Sequence, residues 1–119
     1  MNDKPDLKAR TKTFALRIIR LYVALPKTTE AQVIGKQVLR SGTSIGAQYA
    51  EATRARSTSE FVSKIESGLQ ELEETIYWLE LLIESEIIKA EKLANLQQEA
   101  NELMAILVAS VKTAKINKR

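Results

Sequence analysis

The chain contains no cysteine and no histidine. The first absence excludes a disulfide framework and thiolate chemistry. Together they remove the ligands of a structural zinc site, the Ser-His triad and the side chain that most often moves protons near neutral pH. A carboxylate-only metal site would need a motif, and none is present, so no metal and no cofactor is expected. Proline occurs only at 5 and 26, and all four glycines lie between 35 and 68. Few breakers imply few, long elements. Aromatics make up 5% of residues, too few to suggest a platform for stacking bases. No stretch approaches the ~18 uncharged apolar residues that a membrane span requires. The opening MNDKPDLKARTK has no apolar core of the signal-peptide kind. These absences lead to the expectation of a cytoplasmic protein with no membrane partner.

What is present is the composition of a globular chain. Its 119 residues are 45% hydrophobic, enough for one modest core and a single domain over 1–119. Net charge is only +3, but it is laid out in blocks. Residues 1–56 hold 11 Lys/Arg against 4 Asp/Glu, residues 57–109 hold 3 against 11, and residues 110–119 hold 4 and no acid. Such blocks give separate basic and acidic surfaces. A basic face can meet nucleic acid, or opposite faces can meet between subunits.

Apolar residues recur at helical spacing in four segments. Leu7, Phe14, Ile18, Leu21 and Leu25 form the first stripe, which should end before Pro26. Thr29 is a candidate cap for a second helix carrying Ile34, Val38, Ser41, Ile45, Tyr49 and Ala52. Ser57-Thr58-Ser59-Glu60 matches the capping box and opens a third. Its seam runs through Phe61, Ile65, Leu69, Leu72, Ile76, Leu79 and Ile83. After a junction at Glu86–Lys89, Leu93, Leu96, Ala100, Leu103, Leu107, Val111 and Ala114 mark a fourth, with a fraying INKR tail. Helices over about 6–25, 30–55, 58–85 and 90–115 with short connections predict an all-α, antiparallel up-down-up-down four-helix bundle. The third helix carries apolar residues beyond its seam, Trp78 and Leu82, widened by Tyr77 and Leu81. The first adds Ile19, Tyr22 and Val23. Exposed bands of this kind mark interfaces, so Tyr22, Trp78 and Leu82 are candidate contacts between subunits of a homo-oligomer.

The stretch Gly42-Thr43-Ser44-Ile45-Gly46-Ala47 has the small-residue content of a phosphate loop. It lacks the lysine and the glycine spacing of a Walker loop and follows a helix rather than a strand. Within a helix, Gly42, Gly46 and Ala50 instead make a smooth strip that another backbone can approach. Beside it Arg40, Ser44, Gln48 and Glu51 form a polar ladder suited to contacts between helices or subunits.

Three motifs carry a resemblance. Gln37 to Glu51 fits Q-x-L-R-S-x-x-S-I-x-A-x-x-x-E, Ser57 to Phe61 fits S-x-x-E-F, and Glu71–Leu79 reads ELEETIYWL. Over about Phe14 to Lys112 the chain resembles the bacterial four-helix proteins encoded in intervening sequences of 23S ribosomal RNA genes. These are similar to the accessory variability proteins of diversity-generating retroelements. Gln48 stands where asparagine is usual and Ala52 where glycine is common, the latter extending the second helix. The resemblance implies a homo-oligomer, a pentameric ring or barrel of bundles, and no established enzymatic activity. Through the retroelement relatives it implies a basic exterior that binds nucleic acid and a reverse-transcriptase partner.

The leading functional expectation is therefore a non-enzymatic oligomeric accessory protein that binds RNA or DNA. Its candidate contacts are Lys8, Arg10, Lys12, Arg17 and Arg20 on the first helix and Arg54 and Arg56 around the end of the second. The alternative is a homo-oligomeric protein-interaction scaffold with no nucleic-acid role. An enzyme using Glu71 and Glu74 stands last, because ferritin-like sites pair glutamate with histidine. Membrane-surface binding by the basic first helix competes with that helix's role in the core.

Overall fold

The computed structural model describes residues 6–117, which form four helices and no strand: α1 Leu7–Ala24, α2 Thr29–Thr53, α3 Thr58–Glu84 and α4 Ala90–Asn117. Lys118 and Arg119, the end of the expected fraying tail, lie outside the described residues.

Each start is fixed by a side chain that accepts a free first-turn N–H. Asp6 accepts from Ala9 N at 3.0 Å to open α1. Thr28, not Thr29, caps α2 by accepting from Ala31 N at 3.4 Å. Two threonines in tandem offer the same chemistry, and the extended backbone of Thr28 places the earlier one correctly. The capping box of α3 forms with a shift. Ser57 Oγ accepts from Glu60 N at 3.0 Å, while Glu60 Oε1 reaches past Ser57 to the N–H of Arg56 at 3.2 Å.

Helix α3 ends in a Schellman turn. The N–H of Ile87 donates to Leu82 O and that of Glu86 to Ile83 O, satisfying two otherwise free carbonyls. Glu86 takes the left-handed position there, with φ 64°.

The helices close a cycle: α1 packs on α2, α2 on α3, α3 on α4, and α4 back on α1, with no packing across the diagonals among the described residues. The molecule measures 52 × 29 × 20 Å. Its core draws on all four expected seams, with Phe14, Ile18, Val38, Ile45, Leu72, Leu79, Ala100 and Leu103 fully buried, while Phe61, Leu69, Ile76 and Ile83 of the α3 seam are half-buried at its edge. Leu82 is a correction to the sequence reading. It is completely buried, because three residues after Leu79 it falls on the same side of α3.

The small-residue strip has a clear purpose. A methyl group at Gly42 would lie 2.7 Å from Ile18 Cγ1, and one at Gly35 2.5 Å from Leu25 Cδ1. At Gly46 it would lie 3.1 Å from Thr11 Oγ1. The second helix lacks side chains at these positions so that α1 can sit against its backbone. As numbers rise along α1 from Thr11 to Leu25, its glycine neighbours on α2 fall from 46 to 35.

Candidate nucleic-acid interface

The polar residues singled out from the sequence lie in two places: along the α2–α3 contact, and on α1 and the α2–α3 turn. They differ in how far the protein itself already satisfies them.

The ladder Arg40–Ser44–Gln48–Glu51 faces α3 of the same chain. Arg40 Nη2 approaches Glu74 Oε1 at 3.5 Å, and Lys64 Nζ donates to Glu51 Oε1 at 2.6 Å. That hydrogen bond to Glu51 is the main reason the Lys64 ammonium holds its proton more firmly than a free lysine does. Ser44 Oγ donates to the carbonyl of Arg40 at 2.7 Å, within its own helix. Deeper in the contact, Thr75 Oγ1 lies 2.8 Å from Ser41 Oγ. Three polar atoms on this seam are buried without a hydrogen-bond partner: Gln48 Oε1, Glu71 Oε1 and Trp78 Nε1. Among the described residues no group of three or more acidic side chains could hold a metal ion. Glu74 is turned to Arg40.

The cations split into two groups. Arg10 is fully engaged with α4. Its Nε and Nη2 donate to the two carboxylate oxygens of Glu99 at 3.0 and 2.6 Å, and Nη2 also donates to Glu102 at 3.0 Å. The hydrogen bonds to Glu99, more than any other interaction, strengthen the proton's hold on the guanidinium. Glu102 is drawn below the usual carboxylate range, first by the amide of Gln98 and then by Arg10. Arg10 thus differs from the other cations singled out from the sequence in being held by acids of its own chain. Its partners lie 89 and 92 residues away and no local pattern announces them.

Lys8, Lys12, Arg20, Arg54 and Arg56 are exposed and Arg17 is half-buried; among the described residues none of them makes an ion pair. Lys8 and Lys12 stand one turn apart on the wall of a groove of about 330 Å³ between α1 and α2, whose floor includes Gly46, Ala47 and Ala50. Arg54 follows Ala50 by one helical turn, and Arg56 lies just beyond. The C-terminal part of α4 reaches this end of the bundle, where Ala114 and Asn117 face Arg56 and Phe61. The free cations are thus spread over one end and one side.

The remaining interface candidates are only partly available. Tyr22 is half-buried, and its hydroxyl donates to Gln32 Oε1 at 3.1 Å, while Gln32 Nε2 donates to Pro26 O. It secures the α1–α2 turn. Trp78 packs its ring on the core and meets Tyr77 edge-on at 5.1 Å. Tyr77 itself is 53% exposed. No helix among the described residues is long and apolar enough to cross a membrane.

This architecture has known counterparts. The model of the 23S rRNA-intervening sequence protein family matches residues 5–109. The chain belongs to that family. A solved relative is also similar: a protein of unknown function from the S23 ribosomal protein family of Bacteroides thetaiotaomicron VPI-5482, whose crystal structure extends to 1.70 Å resolution. It is 41% identical, with a TM-score of 0.83, covering 88% of this chain and 97% of its own. Curated proteins offer no match. The expected family is thereby shown, and the fold is shared with this relative.

Proposed function

We propose that the chain is a non-enzymatic, homo-oligomeric accessory protein that binds RNA or DNA through cations at one end of its bundle. The helices run up-down-up-down, a reading supported by the opposed order of neighbours along α1–α2 and along α2–α3, where Arg40 meets Glu74 and Glu51 meets Lys64.

The observation that carries the function is the sorting of charge. Where the fold needs a cation it supplies an acid: Glu99 and Glu102 for Arg10, Glu51 for Lys64, Glu66 for Lys115. Lys8, Lys12, Arg54 and Arg56 are exposed without such a partner among the described residues. Placed against a phosphate backbone, cations of this kind release bound counterions and bind with little sequence preference. Several copies in one assembly multiply weak contacts through effective concentration.

Gel retardation of single-stranded and duplex RNA and DNA at low salt tests this directly. Retention at micromolar protein is expected, lost when Arg54→Glu and Arg56→Glu are combined. No retention of any of the four ligands by the wild-type protein would leave the protein-interaction scaffold as the reading in force.

A further inference from the structure

Two exposed surfaces of this chain are complementary, and the fold keeps them apart. The first is the outer ridge of α1, formed by Leu16, Ile19, Arg20 and Val23. These residues follow one another in steps of three and four, or lie beside that line, so they share the side of α1 opposite Phe14 and Ile18. Leu16, Ile19 and Val23 are 45%, 41% and 67% exposed, a rare arrangement of three large apolar side chains in line on the water side of a helix. From Leu7 to Ala24 the helix carries five cations and no acid.

The second surface is the outer ridge of α3: Glu73, Tyr77, Glu80 and Glu84, again at steps of four, three and four. Tyr77 stands exposed among three exposed carboxylates, with Leu81 half-buried beside it. From Glu71 to Glu86 this segment has no cation. One ridge is apolar and basic, the other aromatic and acidic.

The two ridges also lie at the same height along the bundle. Ile18 touches α2 at Gly42, and the next residue, Ser41, is bonded to Thr75 of α3. The middle of the α1 ridge is therefore level with Tyr77. Yet α1 and α3 occupy a diagonal of the bundle and do not pack on each other. No single chain can bring the ridges together, whereas a second copy placed alongside presents the complement without changing height. Burying the apolar line against Tyr77 and Leu81, with Arg20 set against the glutamates, satisfies both the hydrophobic and the electrostatic requirement.

We propose that the α1 ridge of one copy docks on the α3 ridge of the next. The contact is heterologous, head to tail, so that each copy uses both surfaces once and the assembly closes when the rotation permits. This rests on the homo-oligomeric reading above and names its interface. It leaves Lys8, Arg54 and Arg56, at the other end of the molecule, open to nucleic acid. A partner protein of different sequence is the competing occupant.

Size-exclusion chromatography with light scattering distinguishes these outcomes. The wild-type protein is expected at a multiple of 13.3 kDa. Arg20→Glu alone, and Glu73→Lys with Glu80→Lys, are each expected to fall to the single-chain mass with helical circular dichroism unchanged. Mixed one to one they should reassemble, because the reversed ridge of each meets its complement on the other. Tyr77→Ser, at an exposed site, provides a second route to dissociation if a charge reversal perturbs folding. A wild-type single chain would overturn the homo-oligomeric reading and this interface with it. A wild-type assembly that survives both charge reversals, or variants that stay apart when mixed, would overturn only this interface.

Discussion

Thr75 Oγ1 lies 2.8 Å from Ser41 Oγ across the α2–α3 contact and 2.9 Å from the carbonyl of Glu71 in its own helix. Both hydroxyl residues are completely buried. The pair is a small polar insertion in an otherwise apolar seam, and its energetics follow from what remains when one member is removed. Thr75→Val should destabilise the protein by about 1–3 kcal/mol, since a buried serine hydroxyl then loses its cross-helix partner. The double variant Ser41→Ala with Thr75→Val should recover most of that loss, because neither side keeps an unmet group. Urea denaturation of the two singles and the double completes the cycle. Simple additivity would show that the pair is not coupled.

The four glycines divide by what surrounds them. Gly42→Ala puts a methyl group 2.7 and 2.9 Å from Cγ1 and Cγ2 of Ile18. These atoms sit next to the branch of a buried side chain and cannot swing away. The overpacking cost of about 1–3 kcal/mol exceeds the ~1 kcal/mol of helix propensity gained, so the variant should be less stable. Gly68→Ala meets Gln48 Cβ at 3.5 Å and Ile45 O at 3.8 Å, which is ordinary contact. There the propensity term is unopposed, and a gain of about 0.5–1 kcal/mol is expected. Melting temperatures that move in the same direction for both variants would contradict this division.

At the end of α3 the left-handed position of the Schellman turn is held by Glu86. A side chain at such a φ costs roughly 1–2 kcal/mol that glycine avoids. Glu86→Gly should therefore raise stability by about 0.5–1 kcal/mol after the unfolded-state entropy of glycine is set against it. Thermal denaturation checks the sign, and a loss of stability would mean that the carboxylate matters more than the backbone.

The Arg10 cluster gives the acid limb of stability. Glu102 has its folded value below the usual carboxylate range, through Gln98 and then Arg10. Its contribution is therefore complete above the ordinary glutamate value of about 4.3 and is lost as pH falls through the lower, folded value. Lys64 behaves in the opposite sense. Raised by Glu51, it contributes fully below the ordinary lysine value of about 10.4 and loses that contribution as pH rises through its folded value. Arg10→Gln should cost about 1–2 kcal/mol at neutral pH, and the gap from wild type should narrow on acidification below about pH 4. Urea midpoints measured from pH 7 to pH 3 would refute the assignment if the gap stayed constant.

Much of this molecule was legible from periodicity alone. Helix ends fell within about two residues of the expected ones, because proline, paired threonines and the Ser57–Glu60 box are local signals. The strip at Gly42 and Gly46 was recognisable as a packing surface from spacing, though not that its occupant is α1. Leu82 was misplaced because a wide apolar stripe does not reveal where the core ends and the surface begins. The ion pairs of Arg10 were hidden for a different reason. Its neutralising glutamates are brought to it only by the return of α4, and sequence distance hides such pairs. Site reading fails where tertiary contacts, rather than local patterns, decide which charges are free.

That distinction yields the test that separates structural cations from binding ones. If nucleic acid is held by phosphate contacts, each contributing cation adds about one unit to the slope of log affinity against log salt. Arg54→Ala and Arg56→Ala should each weaken RNA retention and lower that slope by roughly one. Arg10→Gln should leave both unchanged in conditions where the variant is folded, since its guanidinium is already committed to Glu99 and Glu102. Lys8→Ala and Lys12→Ala should resemble the Arg54 variant, as both side chains stand exposed on the groove between α1 and α2. Fluorescence anisotropy of a labelled oligonucleotide across a salt series measures all five. An Arg10 variant that loses as much slope as Arg54 would show that the Glu99 contact opens on binding, and the division between committed and free cations would fall.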